Sequence, residues 1–446
     1  MKIKADFESV VGVMKPMHAV GQPPMSQLSG FMLHYLTEAG IPYSRLHDVQ
    51  GTQGANLYVD IPNLFRDFDA DENVPANYDF AFTDNLLSQL MEHGVEPFFR
   101  LGVTIENYRQ VKSYRIFPPK DFAKWARICE HVIRHYNEGW ADGFHFNIQY
   151  WEIWNEPDDG NYPNSRTSMW KGTPQQYYEL YATAAKHLKA CFGNTIKVGG
   201  YAACGFHDFE IIDPNCEGLG HAPQTQKEGF HDFAHGFLSY IREQKAPLDF
   251  FSWHSYYNVA YTVKMANHCR QLLTKYGYGD VPDILNEWNT CHEAKRRSTD
   301  YAAAQVFGMM LSMQTKASTW MLNYYDARSN ASVYAGMFSP ETYEPFLAYF
   351  AFKLFNDAYV LKNQTKAESD DDNVVVCAAA NGGKKVLLAA NMGEQPVEAE
   401  FELNGGNAAD AEVIMTNCEY KNTLTGKKIV DGKLTIPAYT CLELRF

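Results

Sequence analysis

The chain has no apolar run long enough to cross a bilayer, and no hydrophobic stretch follows its first residues, MKIKADFESVVG. A membrane span and a cleavable export signal are therefore not expected, and a cytoplasmic location is, with an exported protein already trimmed of its signal as the alternative. It also has no cluster of lysine or arginine; 53 acidic against 39 basic residues leave a formal charge of −14. Backbone recognition of DNA or RNA, and docking on anionic lipid, need a basic face, so nucleic-acid and membrane partners are disfavoured. The nine cysteines (129, 191, 204, 216, 269, 291, 377, 418 and 441) are scattered, with no CxxC pair, which points to reduced thiols and no zinc site. Neither "LGVTIEN" nor "VGGYAACG" has the spacing of a phosphate-cradling loop. "HDFAH" sets His231 and His235 four apart but lacks the glutamate of a zinc helix, and "DFDADEN" lacks the Gly and final Glu of a calcium loop. No metal and no organic cofactor is expected.

What is there is an ordinary globular composition: 46% apolar and 21% charged, with 14% aromatic residues as the one excess. At 446 residues, one large and one smaller domain are expected. Up to about residue 356, short apolar runs alternate with amphipathic stretches of helical length, the signature of βα units around a parallel sheet. Eight runs read as strands: 15–21, 41–48, 95–103, 148–156, 195–202, 248–257, 281–289 and 318–327. Between them, 84–94 carries a Leu86, Leu87, Leu90, Met91 stripe ended by Gly94, and 173–193 opens on Thr173-Pro174 and closes on Gly193. Eight strands with intervening helices predict a (β/α)₈ barrel over 15–356, with long insertions at 50–80 and 203–230. From 357 the texture becomes short β-rich runs punctuated by Asn-Gly and Gly-Gly turns, a small antiparallel β-sandwich over 357–446 that residues 1–14 can join.

The chemistry concentrates at two strand ends. "IQYWEIWNEPDDG" (148–160) is a dry strand that runs out at Asn155-Glu156, and "ILNEWN" repeats the pattern at Glu287. A lone strand-end glutamate is as well explained by a rim salt bridge. Two of them, each preceded by Asn with Trp nearby and separated by about three βα units, fall on strands four and seven, across the barrel mouth. A retaining glycosidase needs such a pair, one carboxyl kept protonated as acid and one ionised as nucleophile. Trp154 is read as the dry wall that keeps Glu156 protonated.

Trp154-Asn155-Glu156-Pro157 with Glu287 resembles clan A of the glycoside hydrolases, retaining enzymes on (β/α)₈ barrels. More narrowly, the segment order is similar to glycoside hydrolase family 39, that of β-xylosidases and α-L-iduronidases. "SRLHD" (44–48), residues 77–102, "FFSWHSYY" (250–257) and residues 334–355 carry the likeness over most of 40–355. The resemblance implies that Glu156 is the acid/base and Glu287 the nucleophile, and that Asn155 bonds the sugar 2-OH. It implies that Tyr256 holds the nucleophile, that Arg45 favours its ionised form, and that His47 and His254 line the pocket for the non-reducing sugar. Tyr324 stands near the family's strand-eight tryptophan and is counted with Trp154 among the substrate-binding residues. Two departures stand out: Arg100 in "FRLGVTIEN", where β-xylosidases have Glu-Leu-Ser-Phe-Met-Pro, and Ala327-Arg328, where sugar-gripping acids stand.

The expected activity is double-displacement hydrolysis of a neutral-sugar glycoside or oligosaccharide, exo-acting and β-xylosidase-like. A carbohydrate-binding barrel that has lost hydrolysis is the alternative. A metal-dependent barrel hydrolase would have to assemble His18, His47 and His254. The oligomeric state is left open, a homo-oligomer included.

Overall fold

A computed structural model describes residues 1–25, 29–49, 59–104, 115–159, 169–206, 224–291, 294–329 and 336–446. The expected insertions at 50–80 and 203–230 fall partly outside these residues, at 50–58 and 207–223. After β1 (Lys2–Val13), eight parallel strands close into a barrel in chain order: β2 (Ala19–Gly21), β3 (Tyr43–Leu46), β4 (Glu96–Leu101), β5 (Tyr150–Ile153), β6 (Lys197–Ala203), β7 (Phe250–Ser255), β8 (Asp283–Trp288) and β9 (Met321–Tyr324). Seven of the expected runs contain one of them, and β6 extends one residue past its run of 195–202. Around the barrel run α1 (His34–Glu38), α2 (Ile61–Leu64), α3 (Ala81–Glu92), α4 (Phe122–Glu138), α5 (Pro174–Phe192), α6 (Gln224–Glu243), α7 (Val259–Lys275), α8 (Asp300–Lys316) and α9 (Leu347–Tyr359).

The helix punctuation has local causes. Thr173 caps α5 by accepting from the Gln176 backbone N–H while the Gln176 side chain bonds back to the Thr173 N–H, and Pro174 sits where no intrahelical donor is needed. Asp121 and Asn258 cap α4 and α7 in the same way. No helix among the described residues is long and apolar enough to cross a membrane.

Inside the barrel, side chains alternate along each strand and stack in layers. Ala19, Phe98, Tyr150, Phe250, Ile284 and Met321 form an apolar floor. Two residues further along their strands come Arg100, Glu152, Ser252, Asn286 and Asn323, all fully buried and polar. Such a layer is stable only if its members satisfy one another, and it lies directly below the mouth.

The remaining strands are β10 (Asn363–Ser369), β11 (Val374–Asn381), β12 (Lys384–Asn391), β13 (Val397–Asn404), β14 (Glu412–Thr416), β15 (Thr423–Leu424), β16 (Lys433–Ile436) and β17 (Thr440–Arg445). They form a second sheet in the order β15-β14-β17-β12-β11-β10-β1-β13-β16, antiparallel except for the β1–β13 pair. Met415 and Ile436, near opposite ends of that order, share a core with Ile3, Val376, Leu387 and Leu444, so the sheet folds over on itself as a sandwich. Its other face is buried as well. Val375, Cys377, Val386 and Leu388 belong to the same core as Val306, Phe307 and Phe355 of α8 and α9. A Cβ on Gly308 of α8 would lie 2.1 Å from the Met392 sulfur, so glycine permits this approach.

Candidate active site

Seven side chains meet where β3, β5, β7 and β8 end. Glu287 lies on β8 itself; Glu156 follows β5 by three residues. Between strand and glutamate the chain leaves extended geometry, with Trp154 at φ +75° and Glu156 at φ +43°. These are sparsely populated conformations for side chains of this size, held here because neighbours fix the turn. The Glu156 N–H donates to Ala202 O at 3.0 Å, and buried Asp158 accepts from the backbone N–H groups of Cys204 and Gly205. The turn aims Glu156 back across the mouth, where one oxygen of each glutamate and a nitrogen of His254 lie within 4.8 Å of one another.

The two carboxyls sit in opposite electrostatic settings. Glu287 accepts from Arg45 Nη1 at 2.8 Å and from the Tyr256 hydroxyl at 2.7 Å. Burial acts to raise its pKa, but His254, Arg45 and the Tyr256 hydrogen bond together hold it below the ordinary glutamate value. Glu156 is pushed well above that value, first by burial and then by the negative charge of Glu287 and of Asp159. One carboxyl is thus poised ionised and the other protonated. His254 Nδ1 lies 2.7 Å from Glu156 and 3.6 Å from Glu287, and burial lowers its pKa to about 4, so near neutral pH it is an uncharged bridge.

Arg45 is saturated. Its Nε donates to Glu152, Nη1 to Glu287 and Nη2 to Asn155 Oδ1 at 2.6 Å. The Asn155 amide is therefore fixed with Nδ2 buried and unpartnered, free to meet a sugar hydroxyl. His47 Nε2 stands 3.2 Å from Asp48 and 3.8 Å from Glu287, its pKa lowered by burial and then by Arg100 and Arg45.

Of the expected site residues, Arg45, His47, Asn155, Glu156, His254, Tyr256 and Glu287 come together, and two do not. Trp154 turns outward: its ring packs against Trp125 and Trp170, and its Nε1 donates to Met169 O. It is a wall behind the turn, not a surface for the sugar. Tyr324 is fully buried against Trp288 of β8 and Phe352 of α9, because alternation along β9 points it away from the barrel interior. The aromatic that faces the mouth is its neighbour Tyr325, whose hydroxyl donates to Asp48 at 3.0 Å and whose ring lies 6.0 Å from that of Tyr256.

The sequence reading missed Glu152. Fully buried in the polar layer, it accepts from Arg45, Ser252 Oγ and Asn286 Nδ2. Ser252 Oγ in turn accepts from Ala202 N–H, the residue that holds the Glu156 backbone. A charged residue with inward parity in an otherwise apolar strand was the available signal. Arg328 stands beside Tyr325, paired with Asp326.

The histidines of the metal-dependent alternative do not assemble. His18 packs against Phe355 and Tyr359, with Nε2 on Gly40 O, apart from His47 and His254.

The sequence profile described as glycosyl hydrolases family 39 matches residues 1–391. The chain is 26% identical over 255 residues to a β-xylosidase of Geobacillus stearothermophilus, a stretch that is 55% of this chain and 43% of that protein. It is 28% identical over 173 residues to a β-xylosidase of Caldicellulosiruptor saccharolyticus, covering 37% of this chain and 31% of that protein. The matches thus span less than half the length of these curated relatives. Among solved structures, a glucosidase from Croceicoccus marinus superposes with a TM-score of 0.76 at 20% identity, covering 100% of this chain and 98% of that one. A monomeric β-xylosidase from Caulobacter crescentus gives 0.69 at 16% identity, covering 99% and 98%. At these identities the superpositions establish the shared fold.

Proposed function

The chain belongs to glycosyl hydrolase family 39, and from that membership and the site geometry we propose that it is a retaining glycoside hydrolase acting on neutral-sugar glycosides by double displacement. The observation that carries this reading is the opposite poise of two carboxyls facing one space: Glu287 held ionised by Arg45 and Tyr256, Glu156 held protonated by burial and by Glu287 itself.

In the first step a Glu287 oxygen attacks the anomeric carbon while Glu156 gives its proton to the departing glycosidic oxygen. The product is a glycosyl ester on Glu287 and a free alcohol. Forming that ester removes the Glu287 charge, which is one of the causes holding the Glu156 pKa up, so Glu156 becomes the stronger acid and stays ionised. It then takes a proton from water; the hydroxide attacks the anomeric carbon, the ester breaks, and Glu287 returns as carboxylate. Asn155 Nδ2 is placed to bond the 2-OH, an interaction that strengthens as positive charge develops.

The named relatives act on xylosides and a glucoside, which makes an exo-acting, β-xylosidase-like specificity the first to test. A panel of aryl α- and β-glycosides (xyloside, glucoside, galactoside, arabinoside, fucoside) with wild type, Glu156→Ala and Glu287→Ala makes that test. One glycoside should be cleaved, and each variant should lose nearly all turnover. Azide should then rescue both, giving a glycosyl azide of retained configuration with Glu156→Ala and of inverted configuration with Glu287→Ala. Wild-type-like turnover in either variant would sink the assignment.

A further inference from the structure

Arg100 lies in the polar layer directly below the same mouth, and neither catalytic glutamate is hydrogen-bonded to it among the described residues. It is an inward-facing residue of β4, level with Glu152 on β5, and none of its side chain is exposed. Its Nη2 donates to Asp60 Oδ1 at 2.7 Å, and Asp60 is itself fixed by the Thr104 N–H and the Thr104 hydroxyl. Nε and Nη1 find no acceptor among the described residues. Arg45, one strand away, is the contrast: each of its three nitrogens finds an acceptor, in Glu152, Glu287 and Asn155.

A buried guanidinium cannot shed its proton to escape unmade hydrogen bonds, so its free donors call for acceptors. Position says where these come from. A Cβ on Gly102 would lie 3.0 Å from Trp154 Cα and 3.4 Å from Arg100 Nη1, so the guanidinium runs beside the turn that delivers Asn155 and Glu156. After burial, Arg100 is the group that most depresses the pKa of His47, itself 3.8 Å from Glu287. Asn155 Nδ2, at the end of the neighbouring strand, is also buried and without a partner among the described residues. Two adjoining strands thus each bring unmade hydrogen bonds to the site.

We propose that Arg100 is a specificity-determining residue whose Nε–H and Nη1–H groups hydrogen-bond hydroxyl oxygens of the sugar bound between Glu156 and Glu287, with Asp60 and Thr104 as its positioning residues. The assignment rests on the glycosidase reading for the identity of the ligand as a sugar, and on the geometry for the residue.

The test uses Arg100→Met and Arg100→Lys, each checked for a native far-UV circular dichroism spectrum and a cooperative unfolding transition above the assay temperature, since loss of the buried Asp60 pair lowers Tm. Free xylose, glucose, galactose and arabinose are titrated calorimetrically into wild type and variants, a readout independent of turnover. The best aryl glycoside and its monodeoxy analogues then give kcat and KM separately. Arg100→Met should weaken binding of the preferred sugar roughly ten- to a hundredfold, the value of a hydrogen bond to a charged group, with Arg100→Lys recovering part of it. For one deoxy analogue, wild type and Arg100→Met should be alike, identifying the hydroxyl that Arg100 holds. Equal affinities in wild type and a folded Arg100→Met, or no sugar bound by wild type, would overturn the proposal. Sugar binding that depends on Arg100 without hydrolysis of any glycoside would uphold it while removing the hydrolase reading.

Discussion

Arg45 Nε donates to Glu152 Oε2 at 2.8 Å, and neither side chain touches water. This pair is the keystone of the site, because the other end of the same guanidinium holds Glu287 and Asn155. Removing one member of a buried ion pair leaves the other charge uncompensated, at a cost of about 3–5 kcal/mol. Glu152→Gln should therefore lower the unfolding free energy by about 3 kcal/mol or more, read as a shifted urea midpoint at unchanged slope. An unshifted midpoint would show that the polar layer is not structural.

The poise of the two glutamates fixes the pH profile of kcat/KM. Under the proposed mechanism turnover needs Glu287 ionised and Glu156 protonated, so activity should rise with pH through the depressed pKa of Glu287 and fall through the raised pKa of Glu156. Tyr256→Phe removes a hydrogen bond that favours the ionised form of Glu287. The acid limb should then move to higher pH while the alkaline limb moves less. A shift confined to the alkaline limb would reverse the two assignments.

Stability should fall in mild acid for a reason unrelated to catalysis. Burial lowers the pKa of His18 from 6.5 to about 4. A depressed folded-state pKa contributes stability that is complete above the unfolded value of 6.5 and is lost as pH falls to 4. The loss is about 3 kcal/mol for a shift of this size. His254 titrates in the same window and adds to the effect. His18→Gln should flatten the dependence of Tm on pH between 6.5 and 4, and a slope equal to wild type would refute this account.

Deleting residues 1–13 should cripple the second sheet, even though most of its strands lie at the other end of the chain. β1 sits between β10 and β13, so its removal opens two edges inside the sheet and cuts β13 and β16 off from the other strands. The truncated chain should melt earlier and aggregate on heating, measured by light scattering during a thermal ramp. A soluble truncation with wild-type Tm would show that β1 is dispensable.

Much of this was readable in the sequence because two physical signals are strong there. Apolar runs bounded by turn residues located all eight barrel strands, and a polar residue at the end of a dry run exposed Glu156 and Glu287. What failed was side-chain direction. Tyr324 and Tyr325 are adjacent, and in a strand adjacent residues face opposite ways, so an error of one position swapped a core ring for a site ring. Trp154 was misplaced because the chain leaves extended geometry there, at φ +75°, which no pattern of residue types announces. Glu152 escaped because its partners Arg45, Ser252 and Asn286 come from three other strands, a relation that only barrel closure creates.

The place of β1 also has a consequence for the order in which the molecule is made. The strand leaves the ribosome long before the segments that flank it, which begin at Asn363 and Val397. At about 5–20 residues per second, roughly 20 to 70 seconds pass before β10 exists to receive it. Through that interval an exposed segment carrying Val10, Val11 and Val13 has no native partner. Lys2, Lys4, Asp6 and Glu8, at every second position before it, supply the charges that discourage pairing with the wrong chain. The barrel can close while β1 waits, but the second sheet is complete only when β1 meets β10 and β13.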